Sequence, residues 1–306
     1  MADLAFGGQA LIEGVLMRGP TRIATAVRTP DGNIKVDSRD YISFVDRHPA
    51  LKKPILRGAI SFFEMMAIGM RALNYSAEVA SGDDTGGDTK MSTWALVLTM
   101  VFGLGVGVLL FVYLPLQLAQ YLGFAKSAIW FNLVAGGIRV TFLIAYMSLM
   151  LLSKDLRRVF EYHGAEHKSI WALEVGAELT PAGAQAQSRL HPRCGTSFLL
   201  IVTILAVFLY AVSDSIVQRM IGAPPGILLR FATHFSLLPI VAGVSFEVLK
   251  FSGKHRDERW VQVMIAPGLW LQRITTREPD ESQLEVALAA LAEVIDQPQS
   301  QPAAAA

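Results

Sequence analysis

Residues 91–125 read MSTWALVLTMVFGLGVGVLLFVYLPLQLAQYLGFA, and this run of 35 residues contains no Asp, Glu, Lys, Arg or His. A helix needs about 20 consecutive apolar residues to cross the hydrocarbon core of a bilayer. The run therefore predicts a first transmembrane helix, which we place at residues 94–118. Gly103 and Gly107 share a small-residue spacing within it that lets neighbouring helices approach closely.

Three further apolar stretches follow along the chain. Residues 127–153 contain a single charge, Arg139, and residues 194–213 contain none before Asp214. Residues 227–249 form the fourth stretch, with Glu247 near its end. The sequence therefore predicts an α-helical polytopic membrane protein with about four transmembrane helices.

The composition agrees with this prediction. Hydrophobic residues make up 52% of the 306 residues and charged residues 17%, whereas soluble domains carry about 25% charged residues. The formal net charge of +1 argues against a nucleic-acid binder that relies on overall basicity. Cys194 is the only cysteine, so an internal disulfide scaffold is excluded. The partner that the composition indicates is the lipid bilayer.

The segments outside the apolar stretches have their own patterns. Residues 22–39 predict a β-hairpin, because Thr29-Pro30-Asp31-Gly32 is a turn sequence between two alternating segments. Residues 54–80 predict a largely apolar helix, residues 281–296 a second helix, 81–90 a flexible linker and 297–306 a disordered tail. We therefore divide the chain into an N-terminal segment (1–90), a first helix pair (91–153), a connecting loop (154–193), a second helix pair (194–250) and a C-terminal segment (251–306).

Basic residues next to the predicted spans indicate how the chain is oriented, because cytoplasmic loops carry an excess of Lys and Arg. The three segments rich in basic residues are the N-terminal segment, the 154–193 loop and the C-terminal segment; the loop alone contains Lys154, Arg157, Arg158, Lys168, Arg189 and Arg193. The connection between the first two spans contains only Lys126, and the connection between the last two contains only Arg219 and Arg230. We expect both termini and the 154–193 loop to lie in the cytoplasm.

The 154–193 loop contains the sequence EYHGAEHK, residues 161–168. His163 and His167 are four residues apart, so on a helix both imidazoles lie on one face and can reach one ion. With Glu166 they form the pattern H-x-x-E-H, in which two histidines hold zinc and the glutamate accepts a proton from the water that zinc activates. This pattern predicts a metal site with Glu166 as general base.

A second group of potential ligands closes the same loop. His191 and Cys194 lie in HPRCGT, residues 191–196, and both are competent zinc ligands. Three protein ligands would leave a position for water, as in catalytic sites, and four would make a structural site. The alternatives are solvated histidines, a cysteine that packs as a small apolar residue, and an ion pair of Glu166 with Lys168 or Arg158.

Isolated polar residues give weaker indications. Arg139 falls near the middle of the second span, where a charge is costly and commonly functional. The alternatives are snorkelling of its side chain toward the interface and a packed polar pair, with His234 as the nearest candidate. Glu13 lies among apolar residues and is either a further ligand or a carboxylate at the lip of a hairpin. Asp214 and His255 are expected at the membrane interface.

Four blocks of the sequence resemble, in the same order, the YqhQ-like family of bacterial integral-membrane proteins. The blocks are GGQALIEGVLMRGP (7–20), EYHGAEHK (161–168), HPRCGTSFL (191–199) and PGLWLQRITTREPD (267–280). That family is a domain of unknown function described as a predicted metal-dependent enzyme. The resemblance covers about residues 6–290 and implies a bacterial cell-membrane location and a metal, with His163, Glu166, His167, His191 and Cys194 at the motif positions.

These observations lead to one expected function and two alternatives. We expect a metal-dependent membrane enzyme, a zinc-assisted hydrolase that acts at the cytoplasmic membrane surface on a lipid-linked or other membrane-bound substrate. One alternative is a factor for the assembly of other membrane proteins, with a structural metal. The other is a transporter that uses Arg139 and His234. No nucleic-acid partner is expected.

Overall fold

The computed structural model describes residues 6–82, 93–255 and 258–295. Most of the predicted linker (81–90) and the whole predicted tail (297–306) lie outside these ranges. The strands are β1 (Gly7–Leu11), β2 (Gly14–Arg18), β3 (Arg22–Arg28) and β4 (Ile34–Asp40). The α-helices that follow are α1 (Phe44–Arg47), α2 (Leu56–Ser81), α3 (Thr93–Val108), α4 (Leu114–Tyr121), α5 (Ala128–Met150), α6 (Lys154–Val175), α7 (Pro181–Gln185), α8 (Gly195–Ile221), α9 (Ile227–Lys254), α10 (Arg259–Thr275) and α11 (Glu281–Ile295).

The four strands form one antiparallel sheet in the order β1-β2-β3-β4. The predicted hairpin corresponds to β3 and β4, and the N–H of Gly32 donates to the carbonyl of Thr29 across 3.0 Å in the turn between them. Gly32 has a φ of +87°, which glycine adopts at low cost. A second hairpin, β1 and β2, precedes it, so the small α+β part is a four-stranded meander.

Both faces of the sheet are covered by helices. On one face, α6 and α11 pack against Met17 and Ala24 in a common apolar core. On the other face, α2 supplies Ile68 and Ala72, which pack against Ile23 of β3. Because successive side chains of a strand point to opposite faces, the interior of β3 is buried on both sides. Helix α6 therefore packs on one face of the sheet, and α2, which also packs against α9, lies on the other.

Four helices are long and apolar enough to cross a membrane: Val101–Tyr121, Ala128–Met150, Leu199–Ile221 and Ile227–Ser252. They correspond to the four predicted spans. The first contains one π-helical turn, Leu109–Tyr113, between α3 and α4. The protein is thus a polytopic helical membrane protein with a small α+β part.

At Gly136, α5 approaches α8 too closely for a side chain. A Cβ atom there would lie 2.2 Å from Cγ2 of Val207 in α8, whereas Gly103 and Gly107 have no such neighbour within 4 Å among the described residues. The predicted small-residue contact at Gly103 and Gly107 is therefore absent from the described part of the chain, and α5 and α8 make this kind of contact instead.

Asp214 is buried among polar side chains of the helix bundle, and its expected position at the membrane interface stays a prediction. Its side chain is fully buried. Oδ1 lies 3.0 Å from Nε2 of His234, and Oδ2 accepts from Nδ2 of Asn132 across 2.9 Å. Arg230 joins Asp214, His234 and Asn132 in this buried polar group, with its Nε 3.6 Å from Oδ2 of Asp214. A buried carboxylate requires such partners.

Candidate metal centre

Helix α6 carries the H-x-x-E-H motif and has clear boundaries. Ser153 is its N-cap, since the hydroxyl accepts from the N–H of Leu156, and Gly176 ends it in the left-handed conformation. His163 and His167 lie one turn apart on the same face, with ring centroids 4.5 Å apart. The predicted pairing of the two imidazoles is therefore present.

Cys194 joins this pair from the start of α8. It is the N-cap residue of that helix, and its Sγ accepts from the N–H of Thr196 across 3.3 Å. The Sγ atom is 3.2 Å from Nε2 of His163. One ligand atom from each of His163, His167 and Cys194 lies within 4.8 Å of the others.

Backbone carbonyls fix the orientation of both histidine rings. Nδ1 of His163 lies 2.8 Å from the carbonyl oxygen of Thr275, and Nδ1 of His167 lies 2.6 Å from that of Arg189. A carbonyl only accepts, so each Nδ1 carries a proton, and in the neutral form of each ring Nε2 offers its lone pair to a metal. Histidines that ligate metals are held in this way. The donor set therefore fits a zinc ion.

Nε2 of His167 provides a direct test of that fit. The His167 side chain is 1% exposed, and its Nε2 has no hydrogen-bond partner among the described residues. A buried nitrogen lone pair without a partner loses its solvation without compensation. A metal ion coordinated by Nε2 would satisfy it.

His191 lies beside His163, His167 and Cys194, but it is outside the group of three whose ligand atoms come together. Its ring centroid is 5.7 Å from that of His167. Its Nδ1 accepts from the N–H of Arg193 across 3.3 Å, and its Nε2 lies 3.4 Å from a carboxylate oxygen of Glu174. The structure thus brings together three of the four residues that the sequence predicts as ligands. The ring nitrogens of His191 face Arg193 and Glu174 instead.

Glu166 is buried at the same centre, with a side chain that is 5% exposed. Burial raises the pKa of its carboxyl, and the nearby His163 and His167 act in the opposite direction. A carboxylate with a raised pKa is a better proton acceptor than an exposed one. The position of Glu166 therefore suits the predicted general base.

Within the described ranges, Glu166 forms no ion pair with Lys168 or Arg158. Nζ of Lys168 donates to the carbonyl of Gln185 across 2.8 Å and lies 3.0 Å from Glu278. Arg158 binds Glu13 instead, with Nε and Nη2 each 2.5 Å from a carboxylate oxygen.

Glu13 is a structural clamp between the sheet and α6. It lies in the turn between β1 and β2 with a φ of 49°, and besides Arg158 it accepts from the hydroxyl of Tyr162 across 3.2 Å. A bidentate arginine–carboxylate pair fixes orientation as well as distance. Of the two readings of Glu13, the carboxylate at the lip of a hairpin is therefore correct.

Cys194 and His163 shift each other's pKa. Burial acts to raise the pKa of the Cys194 thiol, but the charges of His163 and His167 outweigh it and bring the pKa well below its usual value. Burial acts to lower the pKa of His163, but the Cys194 thiolate outweighs it and raises the pKa. The two groups therefore stabilise each other's charged form.

The C-terminal end of α10 completes the centre, and the residue types of the loop alone do not predict this. Thr275 orients His163, and the Gln272 side chain binds both the N–H and the carbonyl of His191 at 2.8 Å. A Cβ atom at Gly164 would lie 1.9 Å from the carbonyl oxygen of Arg277. The sequence contains one indication of this part of the site, the block PGLWLQRITTREPD. The family resemblance includes that block but assigns it no function.

Comparison with known proteins gives a family and no function. A family model described as "Protein of unknown function (DUF1385)" matches residues 53–297. The chain is 34% identical to "Uncharacterized protein YqhQ" of Bacillus subtilis (strain 168), across 95% of this chain and 92% of that protein. No solved structure matches. The family is described as of unknown function and its YqhQ relative as uncharacterized, so neither assigns an activity to this chain. By both matches, the chain belongs to the DUF1385 family.

Proposed function

We propose that the protein is a zinc-dependent hydrolase that acts on a lipid-linked or other membrane-bound substrate. His163, His167 and Cys194 hold the metal and Glu166 is the general base. The observation that carries the proposal is the pair of histidines whose Nδ1–H groups are bound to backbone carbonyls. Nε2 of His163 then lies 3.2 Å from Sγ of Cys194, and Nε2 of His167 has no partner among the described residues. Three protein ligands plus one open position is the arrangement of catalytic zinc.

Each residue of the centre has a definite task. Zinc bound by His163, His167 and Cys194 would act as a Lewis acid that makes water easier to deprotonate. Glu166 accepts the proton of the attacking water and can return it to the leaving group. The carbonyls of Thr275 and Arg189 keep the two imidazoles in the tautomer that ligates the metal.

The position of Cys194 supports a membrane-bound substrate. The third span begins at Leu199, five residues after Cys194, which corresponds to about 7.5 Å along a helix. Trp260 and Trp270 of the neighbouring α10 are about half exposed, and exposed tryptophans favour the level of lipid headgroups. The centre therefore lies at the depth where a headgroup or a lipid-linked bond is accessible.

The proposal includes an orientation. The termini and the 154–193 segment lie in the cytoplasm, and the membrane is the cell (inner) membrane of a bacterium. This is supported by the excess of Lys and Arg in these segments and by the Bacillus subtilis relative.

Exchange of the general base tests the function. Glu166→Gln keeps size and burial but cannot accept the proton, so it should retain metal and thermal stability and lose about 10²–10⁴ in rate, measured as failure to complement a deletion strain. Glu161→Gln is the matched control, because Glu161 lies on the same helix and binds Arg157 and Gln283 instead. Full complementation by Glu166→Gln, together with instability of His163→Ala, would favour a structural metal in an assembly factor.

A further inference from the structure

A cavity of about 330 Å³ lies among the membrane-spanning helices, apart from the metal centre. Its walls are almost entirely apolar; they include Phe111, Leu143, Met147, Val202 and Tyr210. The volume falls within the range of small-molecule sites, about 300–1,000 Å³. One charged side chain, Arg139, is among the residues that line it.

Arg139 is buried and only partly satisfied. Its side chain is 6% exposed, and Nη1 and Nη2 have no hydrogen-bond partner among the described residues. Nε donates to the carbonyl of Phe111 across 3.1 Å. That carbonyl is available because Pro115, four residues later, has no N–H to donate to it. The guanidinium also lies 5.2 Å from the ring centre of Tyr210.

The charges nearby do not neutralise Arg139. The buried carboxylate of Asp214 is already engaged by His234 and Asn132, and it lies 3.6 Å from a second arginine, Arg230. This interior region of the described spans thus has two guanidinium groups and one carboxylate. A cation held away from water requires an anion, so the cavity lacks one negative charge.

The shape of the cavity indicates an elongated occupant. Arg139 lies at the middle of α5, and the cavity extends along α5 to Met147 and along α8 from Tyr210 to Leu199. These distances are about 12 Å and 16 Å at 1.5 Å per helical residue. The site is therefore an apolar slot with one cation toward the membrane midplane.

We propose that this cavity binds a long-chain fatty acid, with its carboxylate on Arg139 and its chain along Leu143 and Val202. A carboxylate carries one negative charge and two oxygens, which match the two free Nη groups of one arginine. A phosphate monoester would bring more charge and more acceptors than this lining can serve. The proposal does not depend on the metal centre.

Binding of tritiated palmitate to the detergent-purified full chain tests the proposal. We expect saturable binding of about one molecule per chain at a pH where the acid is ionised. Unlabelled palmitate should compete, whereas hexadecanol, which has the same chain and no charge, should not. Equal competition by hexadecanol, or stronger competition by hexadecyl phosphate, would overturn the assignment of a carboxylate.

Variants assign the binding to the cavity. Arg139→Gln should weaken palmitate binding roughly thirtyfold or more, since it removes one partner of a buried charge pair. Arg219→Gln, an arginine of α8 that does not line this cavity, should bind like the wild type. Unchanged binding by Arg139→Gln would refute the site.

A steric variant keeps the test valid if Arg139→Gln does not fold. Thr203→Trp fills the cavity from α8 and leaves Arg139 in place. It should abolish saturable binding without loss of thermal stability, and retention of binding would overturn the proposal.

Discussion

Gly8 of β1 lies directly against the side chain of Glu166 in α6. A Cβ atom at Gly8 would be 2.9 Å from Cγ and 3.0 Å from Cδ of Glu166, and 2.6 Å from the carbonyl oxygen of Leu16. Contacts this short cannot persist, so a side chain at position 8 requires the strand or the glutamate to move. The glycine-rich N-terminal block therefore forms one wall of the candidate centre.

Gly8→Ala should impair function while the metal stays bound. We expect a loss of roughly a hundredfold, because misplacement of a catalytic group by about 1 Å has that effect. Gly7→Ala is the control, since a Cβ atom there meets nothing within 4 Å, and it should behave like the wild type. Complementation and metal content measured on both variants check this, and a fully functional Gly8→Ala protein would separate β1 from the centre.

Metal content should distinguish the three ligands from their neighbour. The purified protein should hold about one zinc, since mixed imidazole and thiolate ligands suit that ion. His163→Ala and His167→Ala should remove most of it and Cys194→Ser should weaken it, whereas His191→Ala should retain it because both nitrogens of His191 face other groups. Elemental analysis measures this. Full metal retention by the double variant of His163 and His167 would end the proposal of a metal site.

The metal-free protein should contain a thiolate at neutral pH. The pKa of Cys194 is lowered and that of His163 raised, so both groups are charged between these two values. The Cys194 thiolate contributes fully to stability above the pKa of an unfolded thiol, about 8.5. This contribution is lost as the pH falls through the lowered pKa of Cys194 in the folded protein. The His163 imidazolium contributes fully to stability below the pKa of an unfolded histidine, about 6.5. This contribution is lost as the pH rises through the raised pKa of His163 in the folded protein.

A pH titration of thiolate absorbance after chelation checks this directly, because Cys194 is the only cysteine. The His163→Ala variant should titrate at a higher pH than the wild type. Identical titrations near the ordinary thiol value would show that the pair does not form.

The membrane helices could be predicted because a long uncharged run is a property of local composition. The first hairpin could not, since its turn contains Glu13 at a φ of 49° where a glycine would have given a signal. Strand β2 also shows no alternation, because Gly14 to Met17 are all buried between helices on both faces. Its pattern is therefore the same as that of a buried helix segment.

The candidate site was predictable to the level of residue types. The spacing of His163 and His167 predicts a shared face, which requires only a helix. The groups that orient them cannot be read from the motif, because Thr275 is 112 residues from His163 and Arg189 is 22 residues from His167. The buried partners of Asp214 could not be predicted for the same reason, since Asn132 is 82 residues away.

The orientation of the chain is a separate prediction. Reporter fusions after residue 90, after Ser153 and after residue 260 should all report the cytoplasm, because basic residues concentrate in these segments. Fusions within 122–127 and 222–226 should report the opposite side. A signal from the outer side after Ser153 would contradict the four-span topology and would place the candidate metal centre outside the cell.

Asp214 and Arg230 should contribute to the stability of the helix bundle as a coupled pair. Asp214→Asn leaves the Arg230 guanidinium, 1% exposed, without its carboxylate, and removal of one partner of a buried ion pair costs about 3–5 kcal/mol. The double variant Asp214→Asn, Arg230→Gln has no unpaired charge at this position, so its loss should be clearly smaller than the sum of the two single losses. Unfolding in detergent measures all three, with Arg219→Gln as the control for removal of an arginine outside the pair. Additive losses would mean that Arg230 is stabilised by the carbonyl groups of Pro225 and Ala125, to which it also donates, and that Asp214 acts only through His234 and Asn132.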